Sequence, residues 1–198
     1  RQGVREATNA MANDFHRLRR EVEDIRKHMD ARVEGYVTEF NGLARQIKDM
    51  NIRIKALEVT GGSPNDLMDS RDVALKKLAS LVDLQMHQDD GSSYVVDIRN
   101  VGPVIVGPQV EQLSVERTPD DGEGKPTNAL TIRTSSSVAS DVTHQLVGGK
   151  IGALLEVRDR VLSQALDRLD SLAFGVVTAV NEIHRQGYSM NGETGVDY

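Results

Sequence analysis

From Met11 to Leu57 the apolar residues fall at Met11, Phe15, Leu18, Val22, Ile25, Met29, Val33, Tyr36, Phe40, Leu43, Ile47, Met50, Ile54 and Leu57. The steps alternate between four and three, a heptad a/d pattern held well past the three or four repeats that mark a coiled coil. Such a stripe confines the chain to one long helix, and fifty-odd helical residues make a rod on the order of 75 Å long. Two consecutive four-residue steps, Ile25 to Met29 to Val33, insert a stutter that relaxes the left-handed supercoil without ending the helix. Gly35 and Asn41-Gly42 are the weak points, because each Gly costs about 1 kcal/mol in a helix and Asn-Gly can turn a chain. The stripe runs through both, so the spacing predicts continuity with a bend. Between the stripe positions lie charges of mixed sign, among them Arg17, Arg19, Arg20, Glu21, Glu23 and Asp24, the pattern of a solvated face.

The first helix is expected to stop near Thr60-Gly61-Gly62, where glycines supply the left-handed backbone of a C-terminal cap. Ser63-Pro64-Asn65-Asp66 then reads as a new start, with a capping hydroxyl, Pro at the first helical position and an acid in the first turn. Leu67, Arg71, Leu75, Leu78 and Val82 can face the first rod, and the short connection implies antiparallel packing. Around Leu84 the period changes to alternation. Val95, Val96 and Ile98, then Val104, Ile105 and Val106, then Val110, Leu113 and Val115, and later Leu130 and Ile132 are short β-branched runs separated by Gly, Pro and Asp turns. Four to six antiparallel strands follow. After Gly148-Gly149 helical spacing returns through Ile151, Leu154, Leu155, Val161, Leu162, Ala165, Leu166, Leu169, Leu172, Ala173, Val176, Val177, Val180 and Ile183 to Gly187, a stripe wide enough to meet two helices. The glycine pair itself is read as freedom at a helix start. The expected fold is mainly α with a β insertion: an elongated three-helix, coiled-coil-like bundle plus a small antiparallel β domain. Its divisions are 1–83 for the first two helices, 84–147 for the β-rich domain, and 148–198 for the returning helix and exit loop.

Several chemistries are excluded by composition. The chain has no Cys, which removes disulfide scaffolds, thiolate catalysis and Cys-ligated metal sites. A net charge of -6 and 4% aromatic residues argue against a nucleic-acid partner, which needs clustered cations or stacking platforms. No apolar run approaches the roughly 18 residues of a membrane span, so no membrane partner is expected. The chain opens Arg1-Gln2-Gly3-Val4 without Met or a signal-peptide pattern, as expected of an internal piece of a longer protein. His16, His28, His87, His144 and His184 have no partner His three or four residues away, so no metal site is expected. The acidic loop at 119–126 lacks the spaced ligands of a calcium loop and is read as a solvated turn. Gly148-Gly149-Lys150-Ile151 lacks the first Gly and the Ser or Thr of a phosphate loop. No Gly-x-Ser-x-Gly elbow is present, and an enzyme would need the serines at 135–137 beside His144 in a cleft. No catalytic residue, cofactor or metal ligand is therefore assigned.

Three segments carry a resemblance. Ser63-Pro64-Asn65-Asp66-Leu67-Met68-Asp69-Ser70-Arg71-Asp72, followed by Leu81-Val82-Asp83, resembles a motif of the bacterial flagellar hook-associated protein 1 family. Gly148-Gly149-Lys150-Ile151-Gly152, continuing to Arg158-Asp159, is similar to that family's helix start. Val180-Asn181-Glu182-Ile183-His184-Arg185-Gln186-Gly187-Tyr188-Ser189-Met190-Asn191-Gly192 is similar to its closing motif, although Ser189 stands where the family has Asp. Glu39, Asn41, Leu43, Gln46 and Ile47 match the family's first helix. The residues that the resemblance marks as structural are Asn65, Asp66, Arg71, Asp72, Gly149, Arg158, Asp159, Asn181, His184, Gly187, Tyr188, Asn191 and Gly192.

The resemblance implies a non-enzymatic protein of the junction between flagellar hook and filament, exported through the flagellar type III apparatus to an extracellular or sheathed flagellum. It implies as partners the hook protein, the second junction protein (hook-associated protein 3), the flagellar export chaperone, and further copies in a ring of about eleven. The family's terminal helices, with the export signal and the chaperone-binding segment, are not among these residues. Tyr188, Asn191 and Gly192 are expected either to set the exit toward a terminal helix or to form an ordinary helix cap. A periplasmic adaptor or a phage-tail-like coiled coil is the alternative; in the former a helical hairpin is inserted into β structure, the reverse of the order read here.

Overall fold

The computed structural model describes residues 2–88, 94–117, 130–134, 140–187 and 195. In chain order it contains α1 (Gln2–Val59), α2 (Asn65–Leu81), β1 (Leu84–Gln88), β2 (Tyr94–Ile98), β3 (Gly102–Val106), β4 (Gln109–Val110), β5 (Leu113–Arg117), β6 (Leu130–Thr134), a 3-10 turn (Thr143–Gln145), α3 (Gly149–Glu156), a π-turn (Val157–Val161) and α4 (Leu162–Arg185). The chain is mainly α with a small antiparallel β part, as its periodicity requires. It divides into two compact units, Met29–Glu156 on one hand and Arg1–His28 with Val157–Tyr198 on the other.

Within Met29–Glu156, α1 passes through Gly35 and Asn41-Gly42 unbroken. Its deepest residues are Asp30, Val33, Val37, Phe40, Ala44, Ile47, Asn51 and Ile54, again in steps of three and four. The phase differs from the apolar stripe at every second step: Tyr36 and Leu43 flank the core half-buried while Val37 and Ala44 lie in it. The stripe is wider than a two-helix seam because α2 and the strands share one core with α1, including Leu75, Leu78, Leu81, Val96, Ile98, Val104, Ile105 and Ile132.

The end of α1 is a Schellman cap. Gly62 N–H donates to Leu57 O at 2.9 Å and Gly61 N–H to Glu58 O at 3.0 Å, with Gly61 at φ 77°. The start of α2 differs from expectation. Pro64, not Ser63, is the N-cap, its carbonyl accepting from Leu67 and Met68 N–H at 3.0 Å, and no side chain caps the helix.

The strands form two sheets, β1-β2-β3-β4 and the hairpin β5-β6, all antiparallel. The register shifts between Val96–Ile105 and Asp97–Pro103, leaving Val104 of β3 as the extra residue of a bulge.

In the unit of Arg1–His28 and Val157–Tyr198, Arg19 Nη1 donates to Asp170 Oδ1 at 3.0 Å, linking α1 to α4. The wide stripe of the returning helix is only partly used there: Leu172 is 59% exposed, Val177 56% and Ile183 72%. Two helical stretches make one line of contact, so an apolar arc broader than that line stays outside.

Candidate functional site

The motif residues act on backbone and on side chains within the fold, and Arg71 shows how. Its side chain is 1% exposed in the second turn of α2. Nη1 donates to Asn51 Oδ1 of α1 at 3.1 Å, and Cζ lies 4.4 Å from the Tyr94 ring centre of β2. A planar guanidinium can hydrogen-bond at its edge and stack on an aromatic face at once, which an ammonium cannot reproduce. Arg71 therefore ties three elements of the Met29–Glu156 unit. Asn51 and Tyr94 were not marked by the sequence reading. The available signal was a polar residue one position beyond the apolar Met50 stripe.

Asn41, a matched family position, does more than survive inside a helix. Its Nδ2 donates to Leu113 O at 2.8 Å and its Oδ1 accepts from Leu113 N–H at 2.9 Å. The amide pairs with β5 as a neighbouring strand would, covering part of an edge that a two-stranded hairpin leaves open.

The glycine motif has the backbone freedom read for it at a helix start and is, in addition, a point of close approach. Gly148 and Gly149 have φ of 87° and 62°. A Cβ on Gly149 would stand 2.5 Å from Leu81 O and 2.6 Å from Val82 N, and one on Gly152 would stand 2.7 Å from Leu146 O. The start of α3 thus presses against the end of α2. Asp83, next along the chain, accepts from Arg99 Nε at 2.6 Å and its carbonyl from Arg99 N–H at 3.0 Å, fixing the entry to β1.

The remaining motif residues do not join that cluster. Asn65, Asp66 and Asp72 are exposed on α2, Asp66 supplying the acid of its first turn. Arg158 is buried in the π-turn and grips Asp159 with Nε to Oδ1 at 2.6 Å and Nη2 to Oδ2 at 2.8 Å. Asn181 is half-buried on α4, while His184 and Gly187 are exposed at its end, Gly187 N–H donating to His184 O at 3.0 Å. Tyr188, Asn191 and Gly192 lie outside the described residues, as do residues 118–129 and 135–139.

Chemistry of other kinds finds little to build on among the described residues. No group of three His, Asp or Glu could hold a metal ion, and no helix is long and apolar enough to cross a membrane. All five His are exposed, and His87 Nε2 lies 3.0 Å from Asp97 Oδ2. Asp141 is held below its ordinary carboxylate value: burial alone raises it, but hydrogen bonds from the Thr143 hydroxyl and N–H, with His144 and Arg133 nearby, outweigh that cost. The Thr143 hydroxyl also accepts from Ile132 N–H at 2.8 Å, so this pair is a structural tie of the β6 strand. An open groove of about 640 Å³ beside α1 and α2, between Gly42 and Arg53 and across to Leu67 and Ser70, has no buried polar floor.

Comparison with known proteins agrees in sequence and in fold. Residues 1–198 match the family model described as the flagellar hook-associated protein FlgK helical domain. Flagellar hook-associated protein 1 of Escherichia coli K12 is 26% identical over 201 residues, covering 100% of this chain and 36% of that protein. The protein of the same name from Bacillus subtilis 168 is 25% identical, over 96% of this chain and 41% of its own length. The structure of the flagellar hook junction protein FlgK from Burkholderia pseudomallei superposes with a TM-score of 0.81 at 27% identity, covering 94% of this chain and 33% of that one. The chain thus spans little more than a third of the length of these relatives. On the match of the family model to all of its residues, the chain belongs to the flagellar hook-associated protein FlgK family and corresponds to its helical domain.

Proposed function

We propose that this chain is part of a structural component of the bacterial flagellum, the joint between hook and filament, and that it works by packing. The observation that carries the reading is the family match along residues 1–198. The fold supports it. Residues whose identity matters, Asn41, Arg71 and Gly149, hold α1, α2, α3 and the strands to one another, and β structure lies between helices in the chain order, the opposite of a periplasmic adaptor. In this reading the whole protein is exported through the flagellar apparatus with the help of an export chaperone. It assembles head to tail with its own copies into a ring of about eleven, with hook protein on one side and the second junction protein on the other. It has no catalytic role. Gold-labelled antibody against this segment, applied to detached flagella, is expected to decorate one narrow band at the hook end of the filament. Labelling along the whole filament, or none on intact flagella and all in the cell body, would contradict the assignment.

A further inference from the structure

The returning helix is interrupted by the five-residue π-turn Val157–Val161, with α-helix on both sides. A π-turn carries one residue more than the α-ladder accommodates, its hydrogen bonds are poorer, and helices kink where it sits. Arg158 is 3% exposed inside this turn, gripped by the neighbouring Asp159, so the extra residue is accompanied by a buried charge that a plain apolar stripe would not place there. The division between the compact units falls at the first residue of the turn, between Glu156 and Val157. In α1 it falls between His28 and Met29, and Met29 is the middle of the inserted step Ile25, Met29, Val33, where a heptad stripe loosens its supercoil. Two unrelated irregularities, one of hydrogen bonding and one of sequence period, thus mark the same division.

We propose that Val157–Val161 is a bending joint: the turn takes up or releases its extra residue, and the helix changes direction there while α3 and α4 stay straight. The inference stands on the helix itself and holds whether or not the chain sits at a hook junction. The chain has no Cys, so paired spin labels can be placed at will on exposed positions. Ala153→Cys with Arg168→Cys brackets the turn; Arg168→Cys with Glu182→Cys is a control of nearly equal separation inside α4. Double electron–electron resonance on the full chain is expected to give a distance distribution about twofold or more broader for the bracketing pair. Deleting Val161, which lets the turn close as α-helix, is expected to narrow it to the width of the control. Equal widths for the two pairs in the undeleted chain would mean a rigid kink and overturn the proposal. An unchanged breadth after the deletion, with helix content by circular dichroism retained, would overturn it too. If the deleted chain does not fold, the comparison of the two pairs in the undeleted chain decides alone.

Discussion

Asn41 shows how far one side chain can be from the role its type suggests. An Asn before Gly inside a helical stretch signals a weak point, and the stripe around it correctly indicated that the helix continues. What the sequence withheld is the reason for Asn, because its partner is the backbone of Leu113, 72 residues away, and backbone leaves no mark in a side-chain pattern. Arg71 is similar. Helical spacing placed it toward α1, but nothing in its charge foretold complete burial against Asn51 and Tyr94. Removing the Asn41 amide leaves both a donor and an acceptor of Leu113 in part-buried surroundings. Asn41→Ala is therefore expected to lower stability by about 2–3 kcal/mol, read by urea denaturation. Asn41→Asp keeps an acceptor but sets a carboxylate against Leu113 O, and is expected to recover little of that loss.

At the scale of elements, legibility followed range. The long helix, its stop at Gly61 and the change of period near Leu84 are local and were readable; the Schellman bonds of Gly61 and Gly62 are what such a sequence makes. The strand β1 (Leu84–Gln88) carries Gln, Met and His and has no β-branched run, so it exists because it pairs with β2 across five positions. The π-turn likewise has no period of its own to detect. The glycines separate the two kinds of information. Gly61 needs only its left-handed backbone, with nothing within 4 Å of an added Cβ, whereas Gly149 needs that backbone and the space beside Leu81 O. Gly61→Ala is expected to cost about 1 kcal/mol, while Gly149→Ala costs markedly more. Thermal unfolding followed by circular dichroism ranks them. Equal shifts would remove the close-packing account of the second glycine motif.

For the whole molecule, the proposed role is that of a structural segment of a flagellar joint, and the sequence points to it through motif order more than through chemistry. No convergent set of groups suggested a reaction, and spacing alone ended at an elongated interaction protein. The motifs of residues 63–72, 148–159 and 180–192 supplied the rest, and the last of them ends beyond Gly187, where Tyr188, Asn191 and Gly192 lie outside the described residues. The most direct test is electron microscopy of cells whose gene lacks the codons for residues 1–198, with flagellin assayed in the medium. The account predicts hooks without filaments and flagellin shed outside, restored to filaments by the intact gene. Normal filaments on cells lacking this segment would contradict it.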